Sequence, residues 1–557
     1  MGEIDRKVNG AGERYYFQHI LKREVHRLRL DKQGIFAATV VMIIATLLSR
    51  LLGVVRETVI AFYFGATAAT DAYLVAHIFP TLLSSLAVGS IASTLIPVFT
   101  EYKIKSGEAE AWRIANAVLV ICSVLLLAGI IPVLFFAPVM IRLAAPGLEP
   151  ETAMLASSLT LLLAPTALFL GLSSLFTAIM HAYRHFMLPA FSVLAISISL
   201  IVSVVAFGAR LGIAALAIGL LVGTFLQLVL LFFPLAFKKP LFRVSRRDFS
   251  HPGLRKCMLM TLPVLAGTAA AQINMLVDRV LASGLTEGSI SSLNFAARII
   301  DLPSAIFTVS LVGAVYPAMA QLATEARSDD LRRTFGKSLR MLWLVIIPAA
   351  VGLVVLREPV VRLLFERGAF DTAATQMTTL ALAFYAPLLI ATAGSALVGR
   401  VYFAMQDTLT PLKIGLLSIL LNVVLNLILV RYLAHGGLAL ATSLAATVKL
   451  LLLLLKLRHK FVFLEGRKTA VATLKILLAA LVMGGSVALV YRQAAVIWGG
   501  TEILPQVLRL GSAITVGVLV YSALLALLRL EELTVFKTLL LSRVLRIKSR
   551  DYQGRVG

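Results

Sequence analysis

LFTAIMHAYRHFMLPA, residues 175–190, returns in related form later in the chain as LVGRVYFAMQDTLTPL, residues 397–412. The offset between the two stretches is 222 residues, 397 minus 175. Three residues of each stretch are identical at this offset: Leu175 and Leu397, Ala182 and Ala404, and Pro189 and Pro411. Lys238 and Lys460 also align at the same distance. An internal repeat of this length predicts two structurally related halves.

The composition assigns both halves to a membrane. Of the 557 residues, 59% are hydrophobic and 14% are charged, and the mean hydropathy is +0.93. These values are typical of polytopic membrane proteins and not of soluble domains. About fourteen apolar runs are long enough to cross a bilayer, at about 20 residues per span. The predicted spans are 34–53, 70–98, 113–142, 152–181, 187–209, 211–236, 257–284, 288–320, 338–357, 373–403, 412–431, 436–456, 469–491 and 508–529.

The repeat divides these spans into two groups of six. The two copies are separated by an even number of spans, so the halves run parallel and are related by an axis along the membrane normal. We therefore predict an all-α polytopic membrane protein with about 14 transmembrane helices, in two pseudo-symmetric six-helix lobes around a central cavity, plus two C-terminal helices. The predicted divisions are an N-terminal tail 1–33, an N-lobe 34–237, a basic linker 238–256, a C-lobe 257–456, spans 13 and 14 within 457–530, and a basic tail 531–557.

The net charge of +24 is concentrated in alternate loops. Residues 238–256, 326–340 and 456–468 are rich in Lys and Arg, whereas the intervening loops 146–150 and 284–288 contain none. This asymmetry is the positive-inside pattern, so we predict that both termini are cytoplasmic and that the basic loops contact anionic lipid instead of nucleic acid. Residues 357–371 carry three arginines on the other side, and we interpret them as a short amphipathic element at the outer interface.

Several ionisable residues lie in or beside the apolar runs, where an unpaired charge costs at least a few kcal/mol. In the N-lobe they are Arg50, Arg56, Glu57 and Asp71, and in the C-lobe the matching cation is Arg298. Arginine suits bidentate recognition of phosphate, so these residues predict a water-filled cavity that receives an anion. The alternative is that they form local pairs that only hold helices together, such as Arg56 with Glu57 or Asp71, Arg298 with Asp301 and Asp278 with Arg279.

A second polar group predicts a different kind of site. Asp278, Asn422, Asn426 and Thr442 all offer oxygen ligands, and one of them carries a negative charge. A hard monovalent cation such as Na⁺ suits that set, whereas soft metals do not. Interhelical hydrogen bonding by asparagine and threonine explains the same residues equally well, and the pattern alone leaves both interpretations open.

Five stretches of the chain resemble one known family. They are SRLLGVVRE (49–57), FGATAATDAYLVA (64–76), IPVFTEY (96–102), GSISSLNFAARIIDLPSAIFTVSLVGAVYP (288–317) and AMQDTLTP (404–411). Together they resemble the MurJ/MviN family of lipid II flippases, in the multidrug/oligosaccharidyl-lipid/polysaccharide exporter superfamily. The similarity extends from about residue 36 to 530 and includes the two extra C-terminal spans.

The resemblance implies a substrate, a site and a location. The substrate is undecaprenyl-pyrophosphate-linked glycopeptide (lipid II), moved from the inner to the outer leaflet of a bacterial inner membrane. Arg50, Arg56 and Arg298 would engage the pyrophosphate, with Glu57 and Asp71 as the family's acidic residues. The resemblance also implies possible Na⁺ coupling through Asp278, Asn422, Asn426, Thr442 and a backbone carbonyl near Leu438, and a lipid-tail groove on spans 13 and 14. No other cofactor is implied, and protein partners are not indicated.

Four positions depart from the family pattern. Ser84 and Ser85 stand where many members have a basic pair, and Ile78 stands where they often have a lysine. At the cation site, Asn426 occupies a position that is often aspartate. These changes keep a flippase of another polyprenyl-linked glycan open as an alternative. A drug/cation antiporter would need an acidic cavity, which three arginines oppose. A membrane-embedded enzyme such as a polyprenyl-phosphate transferase is disfavoured, because the sequence has no HExxH, P-loop or aspartate-rich metal motif.

Overall fold

The computed structural model describes residues 45, 48–236, 243–460, 466–500 and 502–530, and all the regular structure among them is helical. The predicted tails 1–33 and 531–557 lie outside the described residues. The first helix, α1, covers residues 48–64. The others are α2 (Ala68–Ala76), α3 (Ile78–Ser84), α4 (Ser90–Lys105), α5 (Glu108–Ala144), α6 (Pro150–Leu163), α7 (Thr166–Ala182), α8 (Met187–Leu211), α9 (Ala214–Ala236), α10 (Pro252–Ser283), α11 (Ser289–Pro303), α12 (Val309–Thr324), α13 (Ser328–Val355), α14 (Arg357–Phe365), α15 (Thr372–Ala404), α16 (Leu409–Lys460), α17 (Gly466–Ile497) and α18 (Ile503–Leu527).

The described helices account for the predicted spans. Eleven continuous helices are long and apolar enough to cross a membrane, and α6 and α7 form a twelfth span bent by 43°. Helix α16 has 52 residues and contains two spans that meet at Ala434, and α1 is the described part of the first span. Counted in this way, the described residues contain all or part of each of the fourteen predicted spans, and the all-α polytopic fold is confirmed.

The internal repeat is present in the backbone geometry as well as in the sequence. Helix α8 begins at Met187 and α16 begins at Leu409, which is an offset of 222 residues. The same offset relates Gly212, with φ 56° and ψ −142°, to Ala434, with φ 47° and ψ −131°. Both residues reverse the chain between two antiparallel spans, so the hairpin α8–α9 and the two halves of α16 are structural copies.

The helices that precede these hairpins also end alike. Arg184 after α7 and Gln406 after α15 have positive φ values of 60° and 59°. In each copy the next residue, His185 or Asp407, donates its N–H to the carbonyl five residues earlier at 2.9 Å. This left-handed cap satisfies carbonyls that a helix end leaves free. The two stretches that opened the sequence comparison therefore encode the same turn.

Spans two and eight share a further irregularity. Each contains one π-helical turn, at Ser85–Gly89 between α3 and α4 and at Ser304–Thr308 between α11 and α12. Such turns insert one residue into a helix and are frequent at functional sites. Pro80 lies in α3, which precedes the first turn, and Pro303 ends α11, which precedes the second.

The loops form two ends of the bundle. The basic end holds the connections after α4, α7, α9, α12, α15 and α16, and the opposite end holds the connections after α1, α5, α8, α10, α13 and α17. Residues 357–371 lie at the opposite end, where α14 buries Val361 and Phe365 and pairs Arg362 with Glu358 and Glu366. This confirms a short amphipathic helix. Its position at a membrane interface stays a prediction.

The two lobes meet at the opposite end through closely approaching backbone. Gly288 has φ +81°, and a Cβ on it would lie 2.3 Å from the carbonyl oxygen of Ala66. A Cβ on Gly147 would lie 2.4 Å from the Cα of Gly284, and the Ala369 N–H donates to the carbonyl of Phe62 at 2.9 Å. Only glycine permits such contacts, so this end is closed in the structure.

The described part of the predicted linker 238–256 has regular structure and a fixed contact to the N-lobe. Residues 237–242 lie outside the described part, but Arg246–Ser250 form a 3₁₀ turn and α10 begins at Pro252. Asp248 binds the Arg113 guanidinium of α5 at 2.7 Å. Hydrogen bonds from the Ser245 N–H and from Arg113 lower the pKa of Asp248 below its usual value. The start of α10 is thereby fixed to the N-lobe, and its later half reaches the C-lobe.

Candidate functional site

Helix α1 carries three of the predicted site residues, and it corrects one expectation. The predicted first span ended at residue 53, between Arg50 and Arg56, whose side chains leave a continuous helix in different directions because they are six residues apart. The helix instead continues without a break to residue 64. Both arginines nevertheless line one cavity, because the cavity wraps around a wide sector of α1 and Gly53 leaves space between them.

This arginine cavity lies between the lobes and has a volume of about 390 Å³. Its walls come from α1, α8, α11 and α14. The lining residues are Ser49, Arg50, Gly53, Val54, Arg56, Glu57, Ala190, Val193, Ser197, Arg298, Ile299, Asp301, Leu302, Leu364 and Phe365. The structure therefore brings Arg50, Arg56, Glu57 and Arg298 together, although they come from separate halves of the chain.

Glu57 is the centre of the charge network in this cavity. Its carboxylate pairs with Arg56 at 2.6 Å and approaches the Nε of Arg298 at 3.7 Å. Arg298 is also 3.7 Å from Asp301. The Glu57 side chain is only 7% exposed, whereas the Arg298 side chain is 47% exposed. Local pairing is thus present, but the pairs of Arg298 are long and its guanidinium stays accessible.

The charges lie deep within the bundle. Arg56 is eight residues from the end of α1, and Arg298 is nine residues from the start of α11. At 1.5 Å of rise per residue, both lie roughly 12–14 Å below the closed opposite end. A charge at that depth in a hydrocarbon core about 30 Å thick is stable only where water or a partner reaches it. The arginine cavity has room for water, and Glu57 is the ionic partner.

Asp71 has a different environment from the one predicted for a substrate ligand. It is 4% exposed and is not among the described residues that line the arginine cavity. Its two carboxylate oxygens accept the N–H groups of Gly288, at 2.9 Å, and Ser291, at 2.7 Å. These N–H groups are the unpaired donors at the start of α11. Asp71 therefore caps a C-lobe helix from the N-lobe and joins the lobes at the closed end.

The predicted cation residues form one connected cluster. The Asn426 amide donates to Asp278 at 2.6 Å and to the side-chain oxygen of Asn422 at 3.1 Å. Asn422 donates to Thr442 at 3.4 Å, and Thr442 donates to the Leu438 carbonyl at 2.9 Å. All five predicted residues are thus linked across α10 and both halves of α16.

One atom of this cluster is left without a partner. The side-chain oxygen of Asn426 is buried and accepts no hydrogen bond from the part of the chain that the structure describes. A buried acceptor in that condition costs free energy unless a donor or a cation satisfies it. With Asp278 beside it, the residues fit a hard monovalent cation. The described residues contain no cluster of His, Cys, Asp and Glu suited to a transition metal.

Comparison with known proteins identifies the family. The profile described as lipid II flippase MurJ matches residues 60–508. A probable lipid II flippase MurJ of Vibrio cholerae is 30% identical over 521 residues, covering 91% of this chain and 98% of the relative. A probable lipid II flippase MurJ of Buchnera aphidicola subsp. Acyrthosiphon pisum is 31% identical over 443 residues, covering 79% of this chain and 86% of the relative. The chain belongs to the lipid II flippase MurJ family. It is accordingly a multi-pass protein of the bacterial inner membrane.

Solved structures agree with this assignment. A lipid II flippase MurJ in an inward closed conformation superposes with a TM-score of 0.73 at 27% identity, covering 88% of this chain and 98% of that one. An inward-facing multidrug resistance transporter of the MATE family gives a TM-score of 0.62 at 17% identity, covering 74% of this chain and 94% of that one. The second likeness shows a shared fold only.

The three positions of span two that depart from the MurJ pattern are accommodated within the helix. Ile78 is buried, Ser84 donates to the Thr81 carbonyl at 3.0 Å, and Ser85 donates to the Leu82 carbonyl at 3.1 Å. Both hydroxyls are satisfied within their own helix. These positions therefore add no cation to span two.

A small annex of about 100 Å³ adjoins the arginine pair and includes residues that the sequence-based site omitted. Tyr73, His77 and Asn294 line it together with Arg56 and Arg298. His77 stacks on Tyr73, with ring centroids 6.1 Å apart, as a packed residue is expected to do. Asn294 could have been found from the sequence, because it lies one turn before Arg298 on the same helix face.

Proposed function

We propose that this protein moves lipid II from the inner to the outer leaflet by alternating access. The observation that carries the proposal is the arginine cavity, in which cations from both lobes meet around Glu57. The basic end faces the cytoplasm under the positive-inside rule, which places both termini there. The closed junction of Asp71 and the glycines then faces the periplasm.

Capture of the headgroup follows from the charge network. A diphosphate offers several anionic oxygens, and a guanidinium binds two of them in a planar fork. The accessible Arg298 exchanges its long contacts with Glu57 and Asp301 for shorter ones to the diphosphate. Arg56 and Arg50 bind the same anion from the N-lobe. The polyprenyl tail stays in lipid, beside the two C-terminal spans.

Binding across the lobes also supplies the reason for movement. A ligand shifts a conformational equilibrium only when it binds one state better than the other. An anion that touches Arg56 on α1 and Arg298 on α11 binds best when the two helices approach each other. The same movement loosens the junction at the closed end of the bundle, where Asp71 accepts hydrogen bonds from the N–H groups of Gly288 and Ser291. Release to the outer leaflet then requires that junction to open.

A sodium ion at the second cluster is the proposed coupling ion. Asp278, Asn422, Asn426, Thr442 and the Leu438 carbonyl would hold it, and its charge would satisfy the buried Asn426 oxygen. Asp278 lies on α10, which is fixed to the N-lobe at its start and contacts α16 of the C-lobe further on. The cluster is therefore well placed to influence how α10 sits between the lobes.

Complementation of a strain depleted of its own lipid II flippase tests the function. We expect the wild-type chain to restore growth and to prevent accumulation of lipid II in the inner leaflet. Arg56→Ala and Arg298→Ala should fail while they remain folded and inserted. Arg362→Ala is the matched control, because Arg362 lies on α14 and pairs with Glu358 and Glu366 outside the cavity lining.

The outcomes separate the alternatives. Rescue by both cavity variants would refute the assignment of the arginine cavity. Failure of the wild-type chain, when it is inserted at normal levels, would refute lipid II as the substrate and favour another polyprenyl-linked glycan.

A further inference from the structure

A second large cavity lies away from the arginine cavity, at the basic end of the C-lobe. It has a volume of about 900 Å³ and is formed by α13, α16 and α17. Its floor is apolar: Trp343 from α13, Leu451 and Leu454 from α16, and Leu474 and Leu477 from α17. We call it the α13–α17 groove. Its volume falls within the range of pockets that bind small molecules, about 300–1,000 Å³.

The charged end of this groove is positive. Arg458, near the end of α16, and Arg467, near the start of α17, both line it and are both exposed. Among the described residues that line the groove, none is acidic. Two positive charges therefore meet at the mouth of one apolar groove.

The dimensions of the groove match one leaflet of a bilayer. From Arg467 to Leu477 is ten residues of α17, and from Leu451 to Arg458 is seven residues of α16. At 1.5 Å of rise per residue, the apolar part extends roughly 10–15 Å from the charges. Half of a hydrocarbon core about 30 Å thick is roughly 15 Å. The groove is thus charged at the depth of headgroups and apolar at the depth of acyl chains.

We propose that the α13–α17 groove binds an anionic glycerophospholipid from the leaflet at the basic end. The phosphate lies between Arg458 and Arg467, and one acyl chain covers Leu451, Leu474 and Trp343. Basic pockets between membrane helices are known to accept acidic headgroups in this way. The proposal rests on charge, depth and shape, and it does not depend on the substrate that the arginine cavity carries.

The bound lipid has a structural consequence. Helix α17 belongs to the two-span appendage, and α13 and α16 belong to the C-lobe. Directly at the groove, Arg340 of α13 donates to the Thr469 hydroxyl of α17 at 3.3 Å. A phospholipid in the groove adds apolar contact across the same seam. It therefore stabilises the attachment of the appendage to the C-lobe.

Quenching of tryptophan fluorescence tests the proposal directly, because Trp343 lies in the floor of the groove. The purified full chain in phosphatidylcholine micelles is titrated with phosphatidylglycerol that is brominated on its acyl chains. We expect saturable quenching that brominated phosphatidylcholine does not reproduce, and its selective part should disappear in Trp343→Phe. Arg458→Gln combined with Arg467→Gln should weaken the interaction by about thirtyfold, at about tenfold or less for each arginine.

Two further variants keep the test decisive. Arg458→Lys with Arg467→Lys preserves the charge and should retain most of the binding. Arg333→Gln removes an exposed arginine of α13 that is not among the described lining residues, and it should have no effect. Equal quenching by both lipids, or unchanged binding in the double glutamine variant, would overturn the proposal. Displacement of the brominated lipid by undecaprenyl phosphate, but not by unlabelled phosphatidylglycerol, would assign the groove to a polyprenyl chain and would also overturn it.

Discussion

The hairpin α8–α9 in the N-lobe and the two halves of α16 in the C-lobe share one backbone but differ in polarity at the positions of the predicted cation site. At the 222-residue offset, Asn422, Asn426 and Thr442 of α16 correspond to Leu200, Val204 and Leu220. The leucines and the valine are all buried, at 3%, 0% and 6% exposure. At these three positions the N-lobe hairpin is packed with apolar residues, although elsewhere it buries Ser192, Ser197, Ser203, Thr224 and Gln227.

The difference shows that a hairpin of this backbone forms without polar residues at these three positions. Interhelical hydrogen bonding is the competing explanation for the asparagines. In the N-lobe copy, which lacks them, the Ser203 hydroxyl of α8 donates to the Ala215 carbonyl of α9 at 2.6 Å, so the hairpin has a polar contact at another position. Leu200 and Leu220 instead border the annex beside Arg56 and Glu57. One lobe thus supports cationic groups at this depth, and the other presents oxygen ligands.

The largest expected effect comes from the cationic side of this comparison. Arg298→Ala removes a guanidinium that binds the diphosphate, and hydrogen bonds to charged groups contribute about 1.5–3 kcal/mol each. Affinity for lipid II, measured by native mass spectrometry on the purified protein, should fall by about ten- to a hundredfold. Arg298→Lys keeps the charge but loses the planar fork, so it should be intermediate. Wild-type affinity in Arg298→Ala would contradict the assignment.

The next largest effect is expected when the C-lobe hairpin is given the side chains of the N-lobe hairpin. The triple variant Asn422→Leu, Asn426→Val and Thr442→Leu should fold, because the N-lobe shows that these side chains pack in the same backbone. It should lose stabilisation by Na⁺, which by linkage is about 2.7 kcal/mol at a hundred times the dissociation constant. Thermal unfolding in NaCl and in choline chloride measures the difference. Equal stabilisation of wild type and variant by Na⁺ would show that the cluster serves helix packing and does not bind the ion.

Asp278→Ala sharpens the same point with one substitution. It removes the single charge of the cluster while Asn422, Asn426 and Thr442 remain. Sodium-stimulated transport should fall, whereas Arg298→Ala should abolish transport with or without sodium. Unchanged sodium dependence in Asp278→Ala would show that the ion binds elsewhere.

The smallest effects are expected at the junction between the lobes, where an acidic residue of each lobe caps a helix of the other. Asp71 caps α11 with two buried hydrogen bonds, and Glu287 caps α2 by accepting the Ala68 N–H at 2.8 Å in an exposed position. Asp71→Ala leaves buried donors unpaired and should lower the free energy of unfolding by about 1–3 kcal/mol. Glu287→Ala should cost about 1 kcal/mol or less, because water replaces the lost cap. Chemical unfolding of both variants measures the difference, and equal losses would contradict a buried role for Asp71.

The sequence was sufficient for the architecture and for most of the grouping of charges. Hydropathy located the spans, and the repeat at 175–190 and 397–412 located the two lobes. The Asn422 and Asn426 pair could be placed on one face from spacing alone. Its link to Asp278 came only from the structure, since it depends on how α10 crosses between the lobes.

Other features depended on tertiary contacts that no local pattern encodes. Hydropathy ended the first span at residue 53, because Arg56 and Glu57 are strongly polar, yet the helix continues past them and both residues line the arginine cavity. In the sequence, Asp71 is an acidic residue in an apolar run, as a substrate ligand would be. In the structure, its carboxylate caps a helix. Its partners are backbone N–H groups of Gly288 and Ser291, which a sequence does not display as polar.

The proposed transport mechanism requires that a diphosphate headgroup occupies the arginine cavity between the lobes. A cryo-electron microscopy structure of the chain with lipid II would show where the headgroup binds. We predict diphosphate oxygens within hydrogen-bonding distance of Arg56 and Arg298, with Glu57 moved away from Arg298. A diphosphate seated outside that cavity, with the contacts of Glu57 intact, would contradict the account.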